Sequence, residues 1–410
     1  MKQLLLAGIL LASNVFAQDW PQLLGPQRDG TYPGPLAKWR DAGPRSVWKT
    51  TIGSGWSAPV AAGERVIIFY REGNEEIIRC HNSATGKVLW KHAYVTQFRD
   101  RFGMNDGPRS TPAIDGEKVF AMGAGGHITA LNLQDGRLLW KRHAANEFQA
   151  GLGFFGIGCS PLVHNGRVLL NIGGANDAGI IALNTGNGQL AWKTSNDETS
   201  YSSPIIATLA GKERALFFTR AGLEIVDPAN GREFFKFAWR PKINASVNAA
   251  TPLIHDDHVF ISTSYDKGGA LISFKGAAKP KPLWAKDGVM SNQYATSVLR
   301  DGYLYGFHGR ADIGGCELRC VELKTAKVKW RFPGLRAGTV TLAGKELIIL
   351  TDRGEILRGP ASPETFVPTA RAQLMGATVR AYPALANGKL YARNDKQLIC
   401  VSLTGPGPRE

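Results

Sequence analysis

The chain has 410 residues, 43% of them hydrophobic, with 48 Gly, 22 Pro and a formal net charge of +15. That much apolar material supports a large core, which excludes a disordered or fibrous chain. The positive balance suits acidic partners, but no Lys/Arg run with interleaved aromatics marks a nucleic-acid surface.

The chain opens with Lys2, an apolar run from Leu4 to Leu11, and Val15-Phe16-Ala17 before Gln18. This order reads as a cleavable export signal over residues 1–17. The run is too short to span a bilayer, and no later segment reaches transmembrane length. No cysteine follows it, so no lipid-anchor signal is read. The expectation is a periplasmic or secreted monomer. An N-terminal strap fills 18–43. Arg45-Ser46-Val47-Trp48-Lys49 then looks like the fourth strand of a sheet without its first three.

From there a unit repeats. Strands open at Trp56-Ser57-Ala58-Pro59, Arg109-Ser110-Thr111-Pro112, Cys159-Ser160-Pro161, Tyr201-Ser202-Ser203-Pro204, Ala250-Thr251-Pro252, Tyr294-Ala295-Thr296-Ser297, Gly338-Thr339-Val340 and Tyr382-Pro383-Ala384. Closing units follow at Asn82/Gly86/Trp90, Asn132/Gly136/Trp140, Asn184/Gly188/Trp192 and Asp227/Gly231/Phe235, with a weaker copy at Glu322/Ala326/Trp330. Asn or Asp caps a tight turn, Gly takes a positive-φ position, and the aromatic packs between sheets. Four short strands in about 45 residues is the period of a propeller blade. The fold class is therefore all-β, an eight-bladed β-propeller of four-stranded antiparallel blades. The last repeat stops after three strands at Leu403, so the N-terminal strand around Trp48 must supply its fourth and close the ring. Length alone would suggest several domains, but the repeat makes one, from 44 to 404, followed by a tail over 405–410. Two blades are degenerate: the fifth ends at Trp284 after Gly276 and Pro280, and the seventh ends near Phe366 after Pro360 and Pro363.

Cys80, Cys320 and Cys400 fall where other repeats carry Ala130 and Ala182, a small buried slot repeated once per blade. Such positions are far apart, and Cys316 and Cys320 would be about 13 Å apart along one strand. The five cysteines are expected to be free thiols.

In a meander blade, the loop before the first strand and the loop between the second and third emerge on one face. The Asn-x3-Gly turns lie on the other. The first face carries the longer, more polar loops and is the candidate binding face. Its candidate residues are Arg99, Asp106, Arg109, Asn244, Asn248, Asn292, Tyr294, His308 and Arg310. For each a plain structural role stands beside binding: pairing among Arg99, Asp100 and Arg101, backbone capping by the Asn residues, or packing by Tyr201 and Tyr294. No Gly-x-Ser-x-Gly elbow, zinc spacing or phosphate loop is present. No catalytic residue and no metal ligand is assigned.

The closing units, the Ser-x-Pro openings and Asp19-Trp20-Pro21-x3-Gly25-Pro26-x-Arg28-Asp29-Gly30 together resemble the pyrroloquinoline quinone (PQQ)-like β-propeller repeat proteins. The resemblance covers most of the chain after residue 17 and implies two kinds of function. One is that of the quinoprotein alcohol dehydrogenases, which use PQQ with calcium and often clamp the quinone with adjacent cysteines. Trp56 or Trp239 would stack there, and Asp106, Asn244 or Asn248 would bind calcium. Adjacent cysteines are absent here. The other is that of cofactor-free propellers, such as the lipid-anchored propeller of outer-membrane barrel assembly. The expectation is the second: a non-catalytic envelope scaffold without cofactor, engaging a protein, peptide or anionic glycan on its loop-rich face. A PQQ-dependent dehydrogenase is the alternative.

Overall fold

The computed structural model describes residues 18–34, 36–39, 43–276 and 280–404. The export-signal and tail assignments lie outside these, as do part of the strap and of the fifth blade's turn. Eight antiparallel four-stranded meanders surround one axis. They span 60–95, 113–143, 162–194, 205–238, 253–286, 298–332 and 338–373, and the eighth combines 384–402 with the N-terminal strand Ser46–Thr51. That strand pairs antiparallel with Gln397–Ser402, Trp48 opposite Cys400, and closes the ring as the sequence predicts. The buried Arg393 clasps the same junction, donating to the carbonyls of Phe69 and Gly53 at 3.0 and 2.7 Å.

The closing tryptophans explain the rest of the repeat. Trp90, Trp140 and Trp192 oppose Cys80, Ala130 and Ala182 across the outer strand pair, which is why that slot is small. Each indole N–H donates to a carbonyl in the turn of the next blade: Trp48 to Ser83, Trp90 to Leu133, Trp140 to Thr185 and Trp192 to Pro228, at 2.9 to 3.1 Å. Gly136 has φ +73°, and a Cβ there would stand 2.5 Å from the Trp90 ring. Glycine is thus required twice over, for conformation and for space. Ala326 takes the same place in blade 6 at φ +60°.

The seventh blade needs a correction. Its outer strand is Ala370–Gln373, beyond the expected end. Phe366 instead lies buried in the preceding loop, stacked on Trp330 of blade 6 at 5.9 Å. It still fills the slot between blades, so the packing survives although the strand is displaced. All five cysteines are free.

The strap closes one end of the central channel. Trp20 pairs with Ala61, the Pro21 carbonyl accepts from Ile114 N, and Thr31–Tyr32 runs parallel to the first strand of blade 7. Between these, Leu24 packs with Ala58, Ala295, Ala381 and Tyr382 at the axis. Arg28 is buried and donates to the carbonyls of Pro161 and Ser160. Burial lowers its pKa to about 10, and these carbonyls with Gln22 Oε1 engage both terminal nitrogens, while Nε is buried without a partner.

Candidate functional site at the channel mouth

Two tiers of side chains, one per blade, come from the opening strands. The inner tier contains Thr111, Ser160, Ser203, Thr251, Thr296 and Tyr382. It stitches neighbouring blades, because the backbone N–H at this register donates to a hydroxyl of a following blade. Ala58 bonds Thr111, Thr111 bonds Ser160, Ser160 bonds Ser203 and Thr251 bonds Thr296, at 2.8 to 3.0 Å. Blade 7 has Gly338 here and no hydroxyl. The phenol of Tyr382 from blade 8 accepts from Thr296 N in its stead. The hydroxyls of Thr111, Ser160, Ser203 and Thr296 are therefore structural.

Two residues earlier lies the second tier: Trp56, Arg109, Gly158, Tyr201, Ala249, Tyr294, Arg336 and Arg380. Seven of these eight, all but Arg336, line a cavity of about 370 Å³ at the loop-rich mouth. Leu23 of the strap contributes to its lining, so the channel is closed beneath it. Phe102, Phe155, Val247 and Tyr265 add apolar wall. Outside the cavity the loops expose Ile243 and Ile313 on the same face, and Phe102 and Met104 stand at its edge, all large apolar side chains in water.

The cavity's charges are unequally balanced. Arg109 meets the buried carboxylate of Asp100 at 2.7 Å, donates to Phe155 O and lies 4.6 Å from the Trp56 ring centre. Burial lowers its pKa, and Asp100 opposes that shift. Arg310 is held by Asp312, whose hydrogen bond raises its pKa and lowers that of Asp312 in turn. Arg380 lies 5.1 Å from Trp56 and 5.3 Å from Tyr294. Among the described residues it has neither an ion-pair partner nor a hydrogen-bond acceptor, and its Nε is buried. The Tyr294 hydroxyl and the Trp56 indole N–H are also buried without partners. Burial pushes the Tyr294 phenol far up, so it is a neutral donor at physiological pH.

Of the nine candidate residues, Arg109, Tyr294 and Arg310 come together in this cavity. The other six lie elsewhere. Arg99 pairs with Asp106 at 3.7 Å on the exposed loop. Asp106 Oδ1 also accepts from Asp100 N. Asn244 accepts from Arg220. Asn248 donates to the carbonyls of Thr219 and Trp239, and Asn292 donates to Phe307 O and accepts from Ser297; both are buried. His308 accepts from Ser291 N, and burial followed by Arg319 lowers its pKa to about 4. It is therefore neutral at physiological pH and adds no cation to the face. The pairing expected among Arg99, Asp100 and Arg101 is replaced by Arg99–Asp106 and Arg109–Asp100. Sequence reading missed Arg380, Tyr265 and Tyr382. The signal for Arg380 was available, because it stands three residues before Pro383 as Arg109 stands three before Pro112.

The residues that the resemblance offers for PQQ and calcium have other partners here. Asp106 accepts from Asp100 N, while Asn244 and Asn248 both engage Arg220, the first through its guanidinium and the second through its carbonyl. Among the described residues no three His, Cys, Asp or Glu side chains could hold a metal ion. Trp56 already carries Arg109 and Arg380 against its ring, and Trp239 is buried beside Lys267.

A family model described as "Outer membrane protein assembly factor BamB" matches residues 30–151 and 74–332. An outer membrane protein assembly factor BamB of Burkholderia pseudomallei (strain K96243) is 24% identical over 364 residues, covering 84% of each chain. Among solved structures, BamB from Moraxella catarrhalis superimposes with a TM-score of 0.63 at 14% identity, over 88% of this chain and all of that one. The quinohemoprotein alcohol dehydrogenase of Comamonas testosteroni gives 0.68 at 12% identity, over 96% and 82%. At such identities the structural likenesses establish the propeller fold alone.

Proposed function

The chain belongs to the family described as outer membrane protein assembly factor BamB, and from that membership we propose that it is a non-catalytic scaffold of the cell envelope. It is exported, works in outer-membrane protein assembly as its relatives are named for doing, and engages a protein partner through the loop-rich face. The family match carries this reading. The physical support is the face itself, where exposed Phe102, Met104, Ile243 and Ile313 surround a cationic, aromatic mouth. Apolar anchors with arginine at their centre are the usual chemistry of a protein contact. The opposite face offers short turns.

The test is capture of barrel-assembly components from an envelope extract. Phe102→Ser with Ile243→Ser, and separately Arg109→Ala with Arg310→Ala, should weaken capture, whereas Lys87→Ala with Arg137→Ala on the short-turn face should not. Equal loss from both faces would reduce the interaction to generic charge attraction. Loss only from the short-turn face would reverse the assignment. The scaffold needs no cofactor. Titration with PQQ and calcium should therefore give only weak binding, and a micromolar or tighter Kd (about −8 kcal/mol) with dye-linked alcohol oxidation would replace the scaffold by an enzyme.

A further inference from the structure

We propose that the cavity at the channel mouth is a binding site for a single carboxylate carried on a compact apolar body. This goes beyond the scaffold reading and does not depend on it.

Three observations point the same way. First, the cavity holds one cation more than it can neutralise: Arg109 has Asp100 and Arg310 has Asp312, but Arg380 has no acid among the described residues. A guanidinium partly withdrawn from water without a counter-ion is costly, and a bound anion removes that cost. Second, the Tyr294 hydroxyl and the Trp56 indole N–H are buried donors without acceptors, on the two rings that Arg380 lies against. Buried donors are nearly always satisfied, so two together beside an unpaired arginine indicate a missing acceptor. Third, the walls are aromatic and aliphatic, with a volume of about 370 Å³. That is within the range of small-molecule sites and far larger than an inorganic ion needs. One unpaired cation specifies one negative charge, and the apolar walls specify what that charge is attached to. A polyanion would place surplus charge against Asp100, Asp312 or the apolar wall.

This chemistry has two sources, a free organic acid or the terminal carboxylate of a peptide ending in a bulky residue. Calorimetric titration of the purified protein distinguishes them, using N-acetylphenylalanine, its amide, and a hexapeptide ending in phenylalanine as acid and as amide. The acids should bind at least about tenfold more tightly than the amides. A hexapeptide acid stronger than N-acetylphenylalanine identifies a chain end, and equal affinities identify a free acid. Arg380→Gln should abolish the preference for acid. Tyr294→Phe removes only a hydroxyl, so it tests the site even where Arg380→Gln disturbs folding, and it should weaken the acids several-fold without changing the melting temperature. Acid and amide binding alike, no binding of either acid, or an acid preference that survives both substitutions would overturn the proposal.

Discussion

The outer belt of closing tryptophans and the second tier at the mouth are both built once per blade, yet they differ in what repeats. In the belt position recurs and, in six of the eight blades, identity too: a Trp whose N–H donates to the next blade's turn, standing opposite a Cys or Ala in five of the six. In the tier only position recurs, and its occupants run from Gly158 and Ala249 to Trp56, Tyr294 and three arginines. Repetition of identity marks a residue that solves the same packing problem in every blade. Repetition of position with changing identity marks a surface whose register is fixed by the fold and whose chemistry is free to specialise.

The largest way to break this contrast is to open the ring. Deleting residues 44–51 removes the outer strand of blade 8, exposes a sheet edge and unseats Trp48, so cooperative thermal unfolding should be lost. An unchanged melting curve would mean that the ring does not depend on closure. Within the belt, Trp140→Ala should cost about 3–5 kcal/mol by denaturant titration, through lost burial and a cavity. It should leave ligand capture at the mouth intact in whatever protein remains folded.

A third measurement probes the junction of blades 1 and 2. Glu76 is fully buried, accepts from Tyr94 and from Ala124 N, and burial raises its pKa to about 7 despite those bonds. The folded state therefore holds a proton that the unfolded state releases. The stability from this group is full below pH 4.5 and is lost as pH rises through 7. Burial lowers His127 nearby, and His308, to about 4, and these tilt the curve the other way between pH 4 and 6.5. The difference between the protein and Glu76→Gln isolates the carboxyl. The variant should gain roughly 2–3 kcal/mol relative to the parent between pH 5 and pH 8. A constant difference across that range would sink the assignment.

The inner hydroxyls should be costlier to remove than the tier above them. Thr111→Val leaves the buried Ala58 N–H without an acceptor and should cost about 1–3 kcal/mol. Arg380→Gln, which breaks no hydrogen bond or ion pair among the described residues and loses only the contacts with the Trp56 and Tyr294 rings, should change stability by less than about 1 kcal/mol. If Arg380→Gln proved the more damaging of the two, the mouth would be part of the scaffold and not a specialised surface.

Much of this was legible in the chain. The Asn-x3-Gly-x3-Trp spacing and the Ser-x-Pro openings place each blade, because both are local: a turn needs its positive-φ Gly and an opening strand its proline wherever they occur. The incomplete last repeat, set against the lone strand around Trp48, identifies the closure. The site was less legible. Asn248 and Asn292 sit in polar loops like those of Arg109 and Arg310, and His308 ends the strand that leads into Arg310, but their side chains turn back to carbonyls and amides within the propeller. Residues of one blade read identically whether their polar groups are satisfied locally or left facing a channel.

The sequence by itself thus determined how many blades there are, how they close and which aromatics pack between them, since those follow from short-range turn chemistry and a repeated hydrophobic pattern. Only the tertiary structure decided that Trp56, Tyr294 and Arg380, from blades 1, 6 and 8, meet around one cavity, and that the strap closes the channel beneath them. The physical reason is ring closure. It brings residues more than 300 positions apart into contact, and which arginine finds a carboxylate and which is left without one depends on that meeting.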